Sequence, residues 1–319
     1  MWRRREGSPW AGVGTVLAKE TADHLTSVRM RLLEALVFLT ALGATYAALR
    51  SIRDTVGQDP FLFLNLFTLS QAPLPSFVAI LGFLVPLVAI ALSFDAVNGE
   101  FSRRTLGRLL SQPIYRDGLI FGKFAAALLT LVIALVALWL AVIGLGILLL
   151  GLPPSTEEIV RMAGFLLATI VFGGVWLAVG LLFSTLFRSP ATAALSALAV
   201  WLVVGMFWAP VTSMIADLVS GPLMGPMGPN IEHVETARAL SRISPNGLFA
   251  EITVALLNPA TRTLGPVLYS DLDGALIGAP LPAGQSFLLV WPQFTALIAA
   301  VIVLFVLAYL VFLRQEVRA

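Results

Sequence analysis

The sequence predicts an all-α, polytopic membrane protein with six transmembrane helices, and three observations predict it. The 319 residues are 58% hydrophobic and only 12% charged, half of the roughly 25% charge of a soluble domain. Six apolar stretches meet or approach the roughly 20 residues needed to cross a bilayer. Arginine and lysine collect in alternate connections between those stretches, as they do on the cytoplasmic side of a membrane.

The elements follow in order within one transmembrane domain, 1–319. Residues 12–31 have helical spacing, with Val13, Leu17, Leu25, Val28 and Leu32 on one side and Lys19, Glu20, Asp23 and Arg29 on the other. This pattern fits an amphipathic helix on the inner leaflet, and a plain membrane-approach helix fits it equally. The first span, 32–50, has a short apolar core, Ala35 to Leu49, between Glu34 and Arg50. The second span is placed at 75–94, a cytoplasmic loop at 95–123, the third span at 124–151, the fourth at 159–187 and the fifth at 191–216. A segment on the other side occupies 217–288, and the sixth span 289–313. Met1-Trp-Arg-Arg-Arg reads as a retained cytoplasmic tail, because no apolar segment of signal-peptide length follows it directly.

Orientation comes from the basic residues. With both termini in the cytoplasm, 14 of the 20 lysines and arginines lie inside and 6 outside. Ser189-Pro190 reads as an N-cap followed by proline at the first helical position, which makes the turn between spans four and five tight. Pro153-Pro154-Ser155-Thr156 makes a similar turn before span four. In the long outer segment a helical stretch from Ile231 to Arg242 precedes a second one after Ser244-Pro245-Asn246, which Asn258-Pro259 ends. About 12 residues cannot cross a bilayer. A cap beyond the span ends and a hairpin dipping between the spans both fit the pattern. Gly144, Gly146, Gly173, Gly174 and Gly180 suit close helix contact. Trp139, Trp176, Trp201, Phe207 and Trp208 suit packing, interfacial anchoring or the lining of a path.

Several function classes are disfavoured. With no cysteine and only His24 and His233, thiol catalysis and a histidine metal cluster have no residues to use. No Gly-x-x-x-x-Gly-Lys-Ser/Thr phosphate loop occurs, so the chain is not expected to hydrolyse ATP itself. No acid pair or Ser–His set lies within the spans, which argues against an intramembrane protease. The absence of an ionisable residue well inside a span argues against ion-coupled transport. The basic residues sit beside apolar spans, so the expected polyanionic partners are membrane lipids and not nucleic acid.

The loop at 95–123 is the most distinctive stretch. Ser102 or Thr105 can cap a short helix that ends before Gln112-Pro113, and Asp117 can cap the helix rising into span three. Leu106, Leu109 and Leu110 form an apolar edge among Arg103, Arg104 and Arg108. A stiff helix of this kind would transmit force if another protein gripped its leucines. A loop helix that merely satisfies the positive-inside rule has the same features.

The run Glu100-x-x-x-x-Thr105-Leu106-x-x-Leu109-Leu110-Ser111-x-Pro113-Ile114-x-Arg116, followed by Gly122-Lys123, resembles the signature loop of the type-2 ATP-binding-cassette transporter permease family. That family includes the permease of the nitrous oxide reductase maturation system. Arg104 departs from the pattern, standing where such proteins carry glycine. The resemblance extends to the amphipathic helix, the six spans and the Ser244-Pro245-Asn246…Asn258-Pro259 segment. It implies that Glu100, Arg103, Arg104, Thr105, Leu106, Arg108, Leu109, Leu110, Pro113, Arg116 and Lys123 form or flank a coupling helix that docks on an ATPase subunit. Glu100 is then expected near the docking surface, paired with Arg103 or Arg104. The implied assembly has two ATPase subunits, which bind the ATP, and a second permease subunit, identical or not. This chain would hold no cofactor, bind no metal and be no enzyme. The implied function is a permease subunit of an ATP-driven exporter in the cytoplasmic membrane. The alternative is a non-transporting subunit that couples an ATPase to an extracytoplasmic process.

Overall fold

The computed structural model describes residues 12–53, 61–71, 74–102, 116–225, 228–264 and 280–314. Its helices in chain order are α1 (Val13–Thr26), α2 (Val28–Arg53), α3 (Leu62–Thr68), α4 (Phe77–Ser93), α5 (Asn98–Ser102), α6 (Arg116–Leu150) and α7 (Thr156–Leu186). After these come α8 (Pro190–Leu202), a π-helical turn at Val203–Phe207, α9 (Trp208–Ser220), α10 (Ile231–Ser241), α11 (Pro245–Leu257) and α12 (Ala283–Arg314). The described strands are a two-residue antiparallel pair, β1 (Met224–Gly225) with β2 (Gly228–Pro229). Six helical stretches are long and apolar enough to cross a membrane: Met30–Ile52, Phe77–Ser102, Asp117–Leu150, Thr156–Leu186, Pro190–Ser220 and Ala283–Arg314. The chain is a multi-pass, all-α membrane protein.

Local chemistry sets the helix ends. The Ser76 hydroxyl accepts from Ala79 N–H at the start of α4. Ser155 and Glu158 form a full capping box on α7. Ser189 and Ser244 cap α8 and α11, each ahead of a proline. The amphipathic segment is not continuous from 12 to 31. Ser27 leaves the helical region (φ −68, ψ 135) and its hydroxyl accepts from Met30 N–H at 3.2 Å, which ends α1 and starts α2. The apolar face read from the sequence divides accordingly. Val13 and Leu17 are half-buried beside the bundle, Leu25, Val28 and Leu32 are exposed, and Val16, outside the face read from the sequence, is the buried apolar residue of α1.

Lipid is as apolar as leucine, so close packing holds such helices together. The most deeply packed helix is α7, which touches α4, α6, α8, α11 and α12. A Cβ on Gly173 would lie 2.5 Å from Leu131 and 3.1 Å from Val85, and one on Gly180 would collide with Ser93. The glycines let α6 and α4 approach α7 this closely. Gly144 has no neighbour within 4 Å and makes no such contact. Phenylalanines join four elements: Phe67 meets Phe77 at 5.0 Å and Phe165 at 5.9 Å, and Phe249 stacks on Phe172 at 4.4 Å. Trp176 is buried in this core, and Trp201 meets Phe83 edge-on at 5.0 Å. Phe207 is exposed.

Helices α10 and α11 form a hairpin that runs beside the spans. The turn after α9 uses Gly221 at φ 80, a conformation that favours glycine. Asn230 Nδ2 donates to Ser220 O at 2.6 Å, and buried His233 has its Nδ1 2.9 Å from Gly221 O. From there α10 descends along α9, with Trp208 Nε1 donating to Leu240 O at 3.0 Å. At the tip Ser244 Oγ donates to Val204 O at 3.2 Å, within the π turn. Val204 lies sixteen residues below Ser220, about 24 Å along the helix. The tip therefore sits near the middle of the fifth span, and the hairpin is the arrangement realised of the two that the sequence leaves open.

Arg161 closes the other end of the hairpin. It is 0% exposed. Its Nη1 donates to Leu256 O at 2.9 Å, Ala255 O at 3.4 Å and Ser286 Oγ at 3.1 Å, and its Nη2 donates to Leu281 O. Nε donates to Glu157 at 3.0 Å. Glu158 ties in α3 by accepting from Phe63 N–H at 2.8 Å.

Replacing Arg161 by methionine leaves the acceptors at the base of the hairpin without donors. The expected loss is about 2–3 kcal/mol, read as a lower thermal midpoint of the purified protein in detergent. Glu157→Gln removes a partner whose side chain is 37% exposed and is expected to shift the midpoint much less. An equal midpoint for wild type and Arg161→Met would show that this arginine does not anchor the hairpin.

Candidate functional site

The end of the bundle opposite the hairpin base is built around Lys123. The second span breaks at Asp95–Val97 and resumes as α5, and Ser184 of α7 holds the break. Its Oγ accepts from Val97 N–H at 2.9 Å and Asn98 N–H at 3.3 Å. The break turns Glu100 toward α6. There Lys123, with 4% of its side chain exposed, reaches Glu20 of α1 at 3.0 Å and Glu100 at 3.5 Å. Three elements distant in sequence thus share one ammonium group.

Packing brings α1 close enough for this. A Cβ on Gly122 would lie 2.7 Å from Val16 Cγ1, so the neighbouring glycine admits α1 against α6. Beneath the charges, Val16, Val97, Leu119, Ile120, Leu181, Ala308 and Phe312 form a separate apolar cluster. Asp117, in the first turn of α6, accepts from Tyr309 of α12 at 3.1 Å, so the last span joins the same end. On the rim, Lys19 lies 3.3 Å from Glu20 and 3.1 Å from Asp23. Burial alone would lower the Lys19 pKa, but the two carboxylates outweigh it and hold the ammonium above its ordinary value. A cavity of about 350 Å³ opens here, lined by Lys19, Glu20, Asp23, Asp95, Glu100 and Lys123 among others.

Such an arrangement fixes α1, α5 and α6 relative to one another. No group of acids and histidines suited to a metal occurs among the described residues. The segment 103–115 leaves the described residues after Ser102, at the end of α5, and rejoins them at Arg116, the start of α6.

Residues 14–317 match the family described as ABC-2 family transporter protein. The chain belongs to that family. Among its relatives is the probable ABC transporter permease protein NosY of Pseudomonas aeruginosa, 29% identical over 195 residues, covering 59% of this chain and 65% of that one. The protein of the same name from Stutzerimonas stutzeri is 30% identical over 141 residues, covering 42% and 49% of the two chains. The chain thus spans less than two thirds of the length of either relative.

Of the residues the sequence singles out in this ABC-2 family chain, the structure brings Glu100 and Lys123 together. Arg116 begins α6, and its side chain lies outside the described residues. Arg103, Arg104, Thr105, Leu106, Arg108, Leu109, Leu110 and Pro113 also lie outside them. The expected pairing of Glu100 with Arg103 or Arg104 therefore falls outside what is described, and the described partner is Lys123. Glu20, on the polar side of the amphipathic segment, has 14% of its side chain exposed and faces the bundle. A signal for it existed: the chain has only two lysines, and Lys123 stands at the foot of an apolar run where a charge needs a partner.

The hairpin also bears on transport energetics. It carries Arg238, Arg242 and Glu251 alongside the spans, and Glu251 hydrogen-bonds Gln293 of α12. Charge at span depth, which the spans themselves lack, is therefore supplied by a segment that does not cross.

The Lys123 knot can be tested directly, because the chain has no cysteine to remove. A spin label on Ala18→Cys, at an exposed position of α1, should be strongly immobilised when Lys123 is present. Lys123→Met removes the buried ammonium group that Glu20 and Glu100 share, a loss of roughly 3–5 kcal/mol. The label is then expected to become mobile; an unchanged spectrum would show that α1 is held by its apolar contacts alone.

Proposed function

We propose that this chain is the membrane-spanning permease subunit of an ATP-driven ABC transporter, working as an exporter in the cytoplasmic membrane with both termini inside. A separate ATPase subunit binds and hydrolyses the ATP. Two ATPase copies serve two permease subunits, and this chain holds no cofactor. Residues 103–115 would be the coupling element, its leucine edge seated in a groove of the ATPase and its arginines at the anionic membrane face.

The observation that carries this reading is the Lys123 knot, in a chain whose family match covers nearly all of it. A push on 103–115 reaches α5 through Glu100 and α6 through Arg116. Lys123 holds both to α1, so the three elements move as one body. The α6 helix has 35 residues, about 52 Å of continuous hydrogen-bonded backbone. It carries the displacement across the bilayer, and the Asp117–Tyr309 contact passes it to α12.

A second reading, a non-transporting subunit that relays ATPase motion to an extracytoplasmic process, is favoured by a cleft of about 620 Å³ at the hairpin base. Phe61, Leu64 and Leu257 line it together with polar Asn65, Thr68 and Asn258, a mixed surface that suits contact with another protein. Stimulation of ATP hydrolysis by a candidate substrate in the reconstituted complex separates the two readings, since only a transporter responds.

Charge reversal is the sharper test of coupling. Glu100→Lys places two ammonium groups together and is expected to lower permease-dependent ATP hydrolysis about tenfold, equivalent to roughly 1.4 kcal/mol, with membrane insertion unchanged. The swapped pair Glu100→Lys with Lys123→Glu should recover part of the rate. Full coupling in the single variant would count against the role. Orientation is checked with Arg108→Cys, which an impermeant maleimide should label in inside-out vesicles and not in intact cells.

A further inference from the structure

Two arginines of the hairpin converge on a single carboxylate. Arg238 Nε donates to Glu251 Oε1 at 2.8 Å, and Arg242 Nε donates to the two carboxylate oxygens at 3.1 and 3.0 Å. Gln293 Nε2 completes the group with a bond of 2.7 Å to Oε2. One carboxylate cannot neutralise two guanidinium groups, so the cluster keeps an excess positive charge. Both arginines engage Glu251 through Nε. Among the described residues, their terminal amino groups donate to nothing. The Arg242 side chain is 41% exposed and that of Arg238 is 21% exposed, so these ends are reachable.

The depth of the cluster makes this consequential. Gln293 lies about 8 Å from the midpoint of the 32-residue α12, toward the hairpin base. Half a hydrocarbon layer is about 15 Å thick. Guanidinium groups with bare ends are costly at that depth and mark a site that a counter-charge or water must complete. A guanidinium fork matches the two oxygens of a phosphate or carboxylate. The positive end of α11, which starts at Pro245 two residues after Ile243, adds to the field at the same tip. Ile243, 68% exposed beside Arg242, offers apolar surface next to the charge.

We propose that the hairpin is a binding site for an oxyanion-bearing amphiphile. The phosphate or carboxylate of the ligand bridges the free amino ends of Arg238 and Arg242, and its hydrocarbon chain lies on the apolar surface that begins at Ile243. Glu251 is the positioning residue, since it fixes both arginines through Nε and leaves their outer edges for the ligand. The site requires neither an ATPase nor a direction of transport, so it stands or falls apart from the function proposed above.

The test uses the full chain in liposomes containing a photoactivatable phosphatidylglycerol or the matching phosphatidylcholine, with labelled peptides read by mass spectrometry. The peptide covering 231–257 is expected to take up about tenfold more of the anionic lipid than of the zwitterionic one, as charge-assisted bonds predict. In Arg238→Gln with Arg242→Gln that preference should vanish, while labelling near the opposite end of the bundle stays constant. Arg242→Gln alone keeps the half-buried Arg238–Glu251 pair, and it serves if the double variant does not remain monodisperse. Its preference should fall at least about threefold. Excess inorganic phosphate that suppresses labelling in wild type would support the oxyanion site and make soluble anions its source. Labelling that resists phosphate would make the amphiphile the source. Equal labelling by the two lipids, or a preference on 231–257 that survives both substitutions, overturns the proposal.

Discussion

A helix that stops where water cannot reach it leaves its last carbonyl groups without partners, and a membrane protein must supply those partners from its own chain. In this structure α11 ends with Ala255 and Leu256 fully buried, and the buried side chain of Arg161 supplies partners for their carbonyl groups. The same guanidinium bonds Ser286 and Leu281 at the start of α12 and Glu157 on its own helix. One side chain thereby joins α7, the hairpin and the last span. Glu158, in the first turn of α7, adds α3 by accepting from Phe63 N–H at the start of that helix. The hairpin can lie beside the spans because both its ends are satisfied: Arg161 holds the base, and Ser244 holds the tip by donating to a carbonyl in the π turn.

The two charged centres lie toward opposite ends of the bundle and have opposite surplus. At the Lys123 end, carboxylates outnumber ammonium groups around the cavity. In the hairpin, guanidinium groups outnumber carboxylates. Helices α6, α7 and α12 run between them and are packed through glycines and aromatic rings, contacts that transmit displacement because the interior has little free space. The fifth span differs. It is interrupted by the π turn and exposes Leu195, Leu202, Met206, Met214 and Leu218, an apolar face suited to lipid or to another membrane helix.

Much of the fold was legible in the sequence. The six spans follow from apolar length, and their caps from serine before proline at 189–190 and 244–245, because both depend on neighbours within one turn of chain. Glycines 173 and 180 were readable as contact points, although Gly144, of the same type in the same kind of helix, touches nothing. The break at Ser27 was not legible, since the helical spacing of apolar residues continues through it. The candidate site was half legible. Glu100 and Lys123 stand out beside the loop motif, but Glu20 is one charge among several on the polar side of the amphipathic segment.

The sequence by itself therefore determined the membrane class, the number of crossings, the helix boundaries set by local capping, and the family resemblance carried by residues 100–123. Tertiary structure alone decided which charges meet. Lys123 and Glu20 are 103 positions apart, as Arg161 and its acceptor on Leu256 are 95 apart. No local periodicity encodes such pairs, because they arise only when packed helices bring their faces together. The hairpin was settled in the same way: a helix of 13 residues is compatible with a cap or a re-entrant helix until partners for its backbone ends are found.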